Sequence, residues 1–435
     1  MDRRNLLKGV SGALLGAFVA GPIVTGCSQP GGGSGGGGEG DEDLLLRMSW
    51  FGGPERAEAM NASLDLFEEN HPNVTVEREE AQFAPYNEKL AAQSAAGDAP
   101  DLISTGTESL TIYKDLLIDL NEHRDKLDLS GFTEADLGLT TVDGALIALP
   151  VSYTVSGVLV NKTLFDGAGL ELPDFETWSW DEMLEVAKEM TAKTPDNVYG
   201  LSSFGFNQLY FMFNIGLQNG ETPYGSDGKL TLSDESLTQY FELLEKATEM
   251  GACPPADVAI EAAQNASTTE VRYALSQANA GGVGGELSRS DPGTELFMTA
   301  PPGGDPKSVY YTAGISWGVT NQSDHVDDAL GLLNYLITDQ EAVNVRGTAL
   351  QIPLNSNVAE GVIDAIEDPQ LVAAMNWART IKETGTELAS PHRAWGSFAN
   401  VLAQASTDLL QGRTTPAEAA TQFASEMNRL VEQTG

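Results

Sequence analysis

The first third of the chain alternates between two hydrophobic patterns. Short apolar runs typical of strands are separated by segments in which apolar residues recur at the spacing of one helix face. Strand, helix, strand, helix, strand predicts a parallel, doubly wound sheet, in which ligands bind beyond the carboxyl ends of the strands. The strand-like runs are Leu44–Phe51, Val74–Val76 and Asp101–Ser104, and the helical segments are Arg56–Asn70 and Tyr86–Ala96.

A charge-free stretch, Ala145–Val160, is rich in β-branched residues. Pro150 argues against a helix, because it lacks an N–H donor and pushes Leu149 toward extended geometry. We interpret the stretch as two short buried strands, Leu146–Leu149 and Val155–Val160, joined without a clear turn signal. Such a segment can leave one sheet and enter another, which would make it a hinge between two lobes. The alternative is one ordinary core strand with a bulge.

Two later runs have the same extended character, Tyr310–Thr320 and Thr348–Leu354. Three crossings would divide the chain into two lobes, with residues 44–152 and 319–350 in lobe one and residues 153–318 and 351–435 in lobe two. Ala280–Gly285 (AGGVGG) is predicted to be a short strand that permits close backbone approach. Helices are predicted from Trp178 through Met190 and at 233–251, 270–277, 327–338, 370–381, 395–411 and 416–431.

The charge balance changes the set of partners to consider. Sixty-three acids oppose 24 bases, giving a formal net charge of −39, and the acids are spread along the chain. An evenly acidic surface would repel the phosphates of nucleic acid, so we expect no nucleic-acid partner. A solvated acidic coat of this kind resembles the surfaces of proteins from extreme halophiles.

The first residues have the features of an export signal. Arg3 and Arg4 precede a short apolar run, Ala13–Val24, and resemble a twin-arginine signal. The run closes on a sequence similar to a lipobox, which predicts lipidation of Cys27; a plain signal peptide with an incidental cysteine is the alternative. Residues 28–43 are glycine-rich and are predicted to be a flexible tether. We therefore expect residues 1–27 to be the signal and the protein to be anchored by lipid at the extracellular face of the membrane.

The sequence gives only weak signals for a catalytic or metal-binding motif. Gly314–Gly318 spells GxSxG around Ser316, but a nucleophile elbow requires a helix directly after the serine, and here the strand pattern continues. The four histidines are scattered and there is no HExxH, CxxC or P-loop, so we expect no metal, no cofactor and no catalytic residue. Cys253 is interpreted as structural. A glycosidase stays as the competing class, although abundant acids alone do not support it.

Several segments together resemble the extracellular solute-binding proteins of ABC importers, in particular the carbohydrate-binding family that includes maltose-binding protein. The resemblance covers most of Leu44–Leu430, and the order and spacing of its segments carry it. They are Tyr86–Leu90, Gly97–Leu102, Leu146–Pro150, Val160–Phe165 with Gly169-Leu170, Pro173, Thr177-Trp178, Trp395 and Gly412–Ala419.

The resemblance implies two α/β lobes, each a doubly wound sheet, joined by a multi-strand hinge that closes around a sugar. It implies a carbohydrate ligand, permease subunits as partners and, we expect, a monomer. Aromatic faces would pack on the sugar ring while carboxylates and amides bind its hydroxyls. The candidate ligand-binding residues are Trp50, Glu55, Thr105, Glu108, Tyr153, Thr154, Phe206, Asn207, Tyr210, Gly285, Glu286, Trp317, Arg393 and Trp395.

Some of these candidates have a second interpretation. Trp50 and Trp317 suit a core position as well as a cleft, Glu108 suits the start of a helix, and the aromatic segment that contains Tyr210 suits a helix core. Arg393, which follows a histidine, could bind an anionic ligand such as a uronic acid or glycerol phosphate, or it could offset neighbouring acids. These alternatives stay open at the level of sequence.

Overall fold

The computed structural model describes residues 43–106, 109–205, 209–225, 227–264, 271–388 and 393–434. Two sheets organise these residues. The first has five strands in the order β2-β1-β3-β12-β6, and β1, β2 and β3 are parallel while β12 runs antiparallel to β3 and to β6. Its strands are β1 (Leu44–Phe51), β2 (Val74–Ala81), β3 (Leu102–Gly106), β6 (Leu149–Pro150) and β12 (Ile315–Val319).

The second sheet is built around one long strand. β7 (Ser152–Asn161) pairs antiparallel with the strands on both of its sides, and only the outer pairs β8–β9 and β11–β14 are parallel. Its other strands are β8 (Val198–Leu201), β9 (Arg272–Asn279), β10 (Leu296–Thr299), β11 (Tyr310–Ala313), β13 (Ile352–Pro353) and β14 (Thr386–Glu387). A separate small hairpin joins β4 (Thr141–Val142) to β5 (Ala145–Leu146).

Helices cover the sheets, and none of those described is long and apolar enough to cross a membrane. Residues at the helix ends explain where helices begin, as at α5 (Trp180–Lys193), where Ser179 and Glu182 form a capping box. The described α-helices are α1 (Pro54–Asn70), α2 (Phe83–Ala96), α3 (Glu134–Gly138), α4 (Lys162–Ala168), α5 (Trp180–Lys193), α6 (Tyr210–Gln218), α7 (Asp234–Glu249), α8 (Ala256–Gln264), α9 (Val283–Arg289), α10 (Val326–Thr338), α11 (Gln340–Arg346), α12 (Ser356–Asp364), α13 (Pro369–Thr384), α14 (Phe398–Leu410) and α15 (Pro416–Thr434).

Each sheet has its own hydrophobic core. The core of lobe one includes Met48 and Leu64 with Leu333 from the later return of the chain, whereas that of lobe two includes Val158 and Phe241. Separate cores on two sheets make the molecule two-lobed, as predicted.

Three short segments connect the lobes. Val151 lies between β6 and β7, Gly314 between β11 and β12, and Gln351 just before β13. The crossings bond to one another, since the Val151 N–H donates to the Ile315 carbonyl and the Gly314 N–H to the Ser152 carbonyl, both at 2.8 Å. The chain therefore passes between the two sheets three times, and the crossings form one hydrogen-bonded hinge.

Three local predictions differ from the structure. The predicted boundary at 318/319 placed Ile315–Gly318 in lobe two, but these residues pair with β3 in lobe one, so the crossing lies at Gly314. The predicted helix at 270–277 is wrong: Arg272–Asn279 is β9, held between β7 and β8. The predicted strand at 280–285 is also wrong, because a 3₁₀ turn over Ala280–Gly282 leads into α9. Residues 1–42, with the predicted signal, Cys27 and most of the tether, lie outside the described residues.

Candidate ligand-binding cleft

Strand direction brings the carboxyl ends of β3 in lobe one and of β9 and β11 in lobe two to the hinge. In lobe one, Gly106 at the end of β3 pairs with Ile315, the first residue after the Gly314 crossing. In lobe two, Asn279 at the end of β9 pairs with Ser156, close to the start of β7. Ligands of open α/β sheets bind beyond these strand ends. The candidate site is therefore the cleft that the two lobes form beside the hinge.

An aromatic edge lies on the lobe-one side of this cleft. The rings of Phe51 and Phe83 meet edge to face with centroids 5.0 Å apart, and Phe51 meets Tyr86 at 5.5 Å. Tyr86 is buried and donates its hydroxyl to the Ser104 carbonyl, whereas Phe83 is 39% exposed. An exposed ring fixed by a packed neighbour can cover the apolar face of a ligand.

Arg56 lies beside this aromatic edge. Its guanidinium carbon is 5.4 Å from the centroid of the Phe51 ring, and its Nη1 donates to the Phe51 carbonyl at 3.0 Å. Its Nε donates to the carbonyl of Ala349, two residues before the Gln351 crossing, at 3.4 Å. Burial lowers the pKa of Arg56, and the charge of Glu55 opposes this effect. Arg56 thus joins the end of β1 to the third crossing.

Polar side chains gather where the crossings meet. The Thr154 hydroxyl donates to the side-chain carbonyl of Gln351, whose backbone has a positive φ of 70°. Gly314 and Gly281 leave room for Gln351: a Cβ at Gly314 would lie 2.4 Å from its Oε1, and one at Gly281 would lie 3.0 Å from its Cγ. The close approach predicted for the AGGVGG segment is therefore an approach of Gly281 to Gln351.

Lobe two adds a polar strand end and a groove. The Ser156 hydroxyl donates to the Asn279 side chain at 2.6 Å. A groove of about 1340 Å³ runs over this lobe, with Ser276 on β9 and Glu286 on α9 among its lining residues. Glu286 is also paired with Arg289 at 2.5 Å. The Ser156 hydroxyl and the Asn279 amide therefore lie at the hinge end of the lobe-two sheet, whereas the groove extends to Asn161 and Arg272 at the opposite end.

Charged groups also tie the lobes together behind the hinge. Asp136 of α3 is buried and forms an ion pair with Lys382 of α13 at 3.0 Å. The Lys382 ammonium lies 5.6 Å from the centroid of the Tyr153 ring. Burial raises the pKa of Glu387 nearby, and the Tyr311 hydroxyl donates to that carboxylate at 2.9 Å. These contacts join lobe two to α3.

Most predicted aromatic site residues lie inside the lobes. Trp50 and Trp317 are 2% and 1% exposed in the core of lobe one, which agrees with their alternative core interpretation. Tyr153 and Tyr210 are buried in the core of lobe two. Trp395 is buried as well, where its indole N–H donates to the Gly228 carbonyl at 2.8 Å and its ring packs against Phe213 and Tyr224. All five rings therefore pack within the hydrophobic cores of the two lobes.

The predicted polar site residues lie in different environments. Thr154 lies at the hinge, whereas Thr105 is buried against the Ser316 carbonyl. Glu55 is exposed in the first turn of α1, and Gly285 and Glu286 lie on α9. Outside the described residues lie Glu108, Phe206 and Asn207, and the side chain of Arg393. The set as a whole stays a prediction.

Sequence reasoning missed Phe51, Phe83, Arg56, Gln351 and Asn279. The predicted strand end at Phe51 and the third extended run at Gln351 were available signals, since each marks a place where the chain reaches the cleft. Ser316, the centre of the GxSxG pattern, is buried inside β12, and the strand continues to Val319 as predicted.

Comparison with solved structures supports the two-lobed fold. A periplasmic solute-binding protein from Pectobacterium atrosepticum superimposes with a TM-score of 0.79 at 22% identity, covering 90% of this chain and 99% of that one. A periplasmic oligogalacturonide-binding protein from Yersinia enterocolitica, in complex with saturated digalacturonic acid, gives a TM-score of 0.74 at 21% identity with the same coverage.

The alignments with curated relatives cover less of the chain. A lactose-binding protein from Rhizobium radiobacter is 22% identical over 286 residues, 63% of this chain and 66% of that protein. An arabinooligosaccharide-binding protein from Halalkalibacterium halodurans is 26% identical over 158 residues, 36% of this chain and 34% of that protein. Each alignment spans less than two thirds of the relative.

Family membership rests on a longer match. A family model described as bacterial extracellular solute-binding protein matches residues 62–374, which include β12, all three crossings and most of both sheets. The match covers well over half of the chain. This protein belongs to the bacterial extracellular solute-binding protein family.

Proposed function

We propose that this protein captures a sugar or oligosaccharide between its two lobes and delivers it to the permease of an ABC importer. The observation that carries the proposal is the hinge of three crossings, at which β3 of lobe one and β9 of lobe two both end. A ligand that contacts both lobes favours the closed arrangement by its higher affinity for that state.

The cleft groups have the chemistry that a sugar needs. Phe83 supplies an exposed aromatic face held by Phe51, while Thr154, Gln351 and Asn279 supply hydroxyl and amide groups for hydrogen bonds. The names of two relatives, which bind lactose and arabinooligosaccharide, point to the same ligand class. Binding and release of this kind require no covalent step.

A thermal-shift screen tests the proposal. Monosaccharides, disaccharides, oligosaccharides and acidic sugars are added to the protein at high salt, and a ligand that binds only the native state must raise the melting temperature. At a ligand concentration of 100 times the Kd, the native state gains about 2.7 kcal/mol. The bound sugar should be recovered unchanged at one equivalent per protein. A glycosidase would instead return cleaved product, and the absence of any shift across the screen would refute sugar binding.

We also propose that the mature protein is a monomer, anchored outside the cell by lipid on Cys27 after export through the twin-arginine route. The support is the sequence of residues 1–43 described above. Mass spectrometry of protein purified from membranes should find a mature chain that begins with a lipid-bearing Cys27. A mature chain starting elsewhere, or a Cys27→Ala variant that stays equally in the membrane fraction, would contradict the anchor.

A further inference from the structure

Arg56 differs from most cations of this protein in its electrostatic surroundings. Acids outnumber bases by 63 to 24, and most lysines and arginines of the described residues are within ion-pair distance of a carboxylate. Arg56 has no such pair within the described part of the chain. Glu55, its neighbour in sequence, is exposed in the first turn of α1.

Only some of the N–H donors of the Arg56 guanidinium have an acceptor among the described residues. An arginine has five N–H donors in a fixed plane. Nη1 donates to the Phe51 carbonyl and Nε to the Ala349 carbonyl, while Nη2 has no acceptor among the described residues. Two neutral carbonyls hold the group in place without neutralising its charge. The side chain therefore has spare donors in a fixed orientation at the cleft edge of lobe one.

The backbone keeps room for this side chain. Gly52 has a φ of 156°, and a Cβ at that position would lie 2.5 Å from Arg56 Cδ. Burial lowers the pKa of Arg56 in spite of the opposing charge of Glu55, so an anion bound to Arg56 would relieve the remaining cost of its burial. Phe83 and Arg56 both contact the Phe51 ring, at 5.0 Å between ring centroids and 5.4 Å from the guanidinium carbon, so both groups lie within reach of one ligand.

We infer that Arg56 binds an anionic group of the ligand, and that the solute is an acidic sugar bearing a carboxylate or a phosphate. This inference rests on the proposed function and narrows its ligand class. The planar guanidinium suits a carboxylate or phosphate, because parallel N–H···O bonds to two oxygens are geometrically specific and charge-assisted. The sugar ring would lie against Phe83, and the hydroxyls would reach the groups at the crossings.

Isothermal titration calorimetry with three ligands tests the inference. Digalacturonic acid, the corresponding neutral digalactoside and a hexose phosphate are titrated into the wild type, Arg56→Gln and Arg56→Lys at one fixed salt concentration. Arg78→Gln is the matched control, since Arg78 pairs with Asp65 and Glu68 away from the strand ends and its loss changes the net charge equally. Melting temperatures check that each variant is folded.

We expect the wild type to bind one of the two acidic ligands at least tenfold more tightly than the neutral one. Arg56→Gln should weaken that acidic ligand about tenfold to a hundredfold with little change for the neutral one, and Arg56→Lys should retain part of the preference. Comparing digalacturonic acid with the hexose phosphate identifies whether a carboxylate or a phosphate is bound.

Other outcomes overturn the inference in distinguishable ways. Equal or tighter binding of the neutral digalactoside by the wild type would leave sugar capture standing and refute the acidic ligand. An equal loss for charged and neutral sugars in Arg56→Gln would assign Arg56 a structural role at the third crossing. If no sugar of any class bound the wild type, both the inference and the proposed function would fail.

Discussion

Arg346 is a buried cation that no carboxylate of the described chain neutralises within ion-pair distance. It is 5% exposed, lies 5.3 Å from the Trp317 ring and donates to the Ser63 hydroxyl at 2.8 Å and to the Leu336 carbonyl near the end of α10. Burial lowers the pKa of Arg346 to about 9. The Arg346 guanidinium thus satisfies two buried acceptors at once, the Ser63 hydroxyl of α1 and the Leu336 carbonyl of α10.

Replacing Arg346 should therefore destabilise the fold in a graded way. Arg346→Met keeps much of the stem volume but leaves two acceptors without a donor, so we expect a loss of about 1–3 kcal/mol. Arg346→Ala also leaves a cavity and should cost about 3–5 kcal/mol. Chemical denaturation measures both. The control is Arg124→Met, which removes an exposed pair to Glu134 and should change stability by less than about 0.5 kcal/mol. An Arg346→Met variant as stable as the wild type would show that the buried donors contribute nothing.

At the scale of elements, the hinge depends on a missing side chain at Gly314. A Cβ there would lie 2.4 Å from Gln351 Oε1, 2.7 Å from Ser152 Oγ and 3.2 Å from Thr154 Oγ1. The side chains of Gln351 and Ser152 can therefore hold these positions because Gly314 has no side chain of its own.

Gly314→Ala should consequently cost about 1–3 kcal/mol, since the methyl group displaces the Gln351 and Ser152 side chains from their hydrogen bonds to Thr154 and to the Ile315 N–H. Gly331→Ala is the control, because Gly331 is exposed on α10 and a Cβ at that position would have no described atom within 4 Å. Alanine there should stabilise the protein by about 0.5–1 kcal/mol. Denaturant titration of both variants measures the change in the free energy of unfolding. If both substitutions stabilised the protein equally, the contacts at Gly314 would not be limiting.

The sequence predicted the crossings because their signal is local. A charge-free extended run broken by Pro150, and two later runs of the same character, required only the hydrophobic pattern. The strand at Arg272–Asn279 was missed, because its extended geometry comes from pairing with β7 and β8, which lie far away in sequence. Tertiary pairing overrides local preference in such segments.

The candidate site was harder to predict for a related reason. Trp50 stands at the end of a strand, where alternate residues point to opposite faces, and only the packing of lobe one shows that its ring lies inside while Phe51 reaches the aromatic edge. Arg56 carried no signal of its own, since its role depends on the Ala349 carbonyl, which is 293 positions away in the chain. Long-range geometry of this kind is not readable from spacing.

At the scale of the whole molecule, the acids of the described residues lie mostly at the surface. The buried carboxylates among the described residues are Glu79, Asp101 and Asp136, and each has partners: Glu79 pairs with Arg47 and Lys89, the Arg47 N–H donates to Asp101, and Lys382 pairs with Asp136. Most of the other described acids face solvent, although Glu387 is partly buried, and acids outnumber bases by 63 to 24 in the full sequence. Their mutual repulsion acts against the compact state and is weakened by salt.

Stability should therefore rise steeply with salt and then level off. The Debye length falls from about 10 Å at 0.1 M to about 3 Å at 1 M, so most of the gain from screening is expected below about 1 M KCl. Melting temperatures are measured in KCl and in sucrose at matched osmolarity. Both cosolutes are excluded from the protein surface, but only KCl screens charges, so the difference between the two series reports the screening. A midpoint that does not change between 0.1 and 1 M KCl would show that the acidic coat does not strain the fold. A continued rise only above that range would assign the effect to exclusion from the surface.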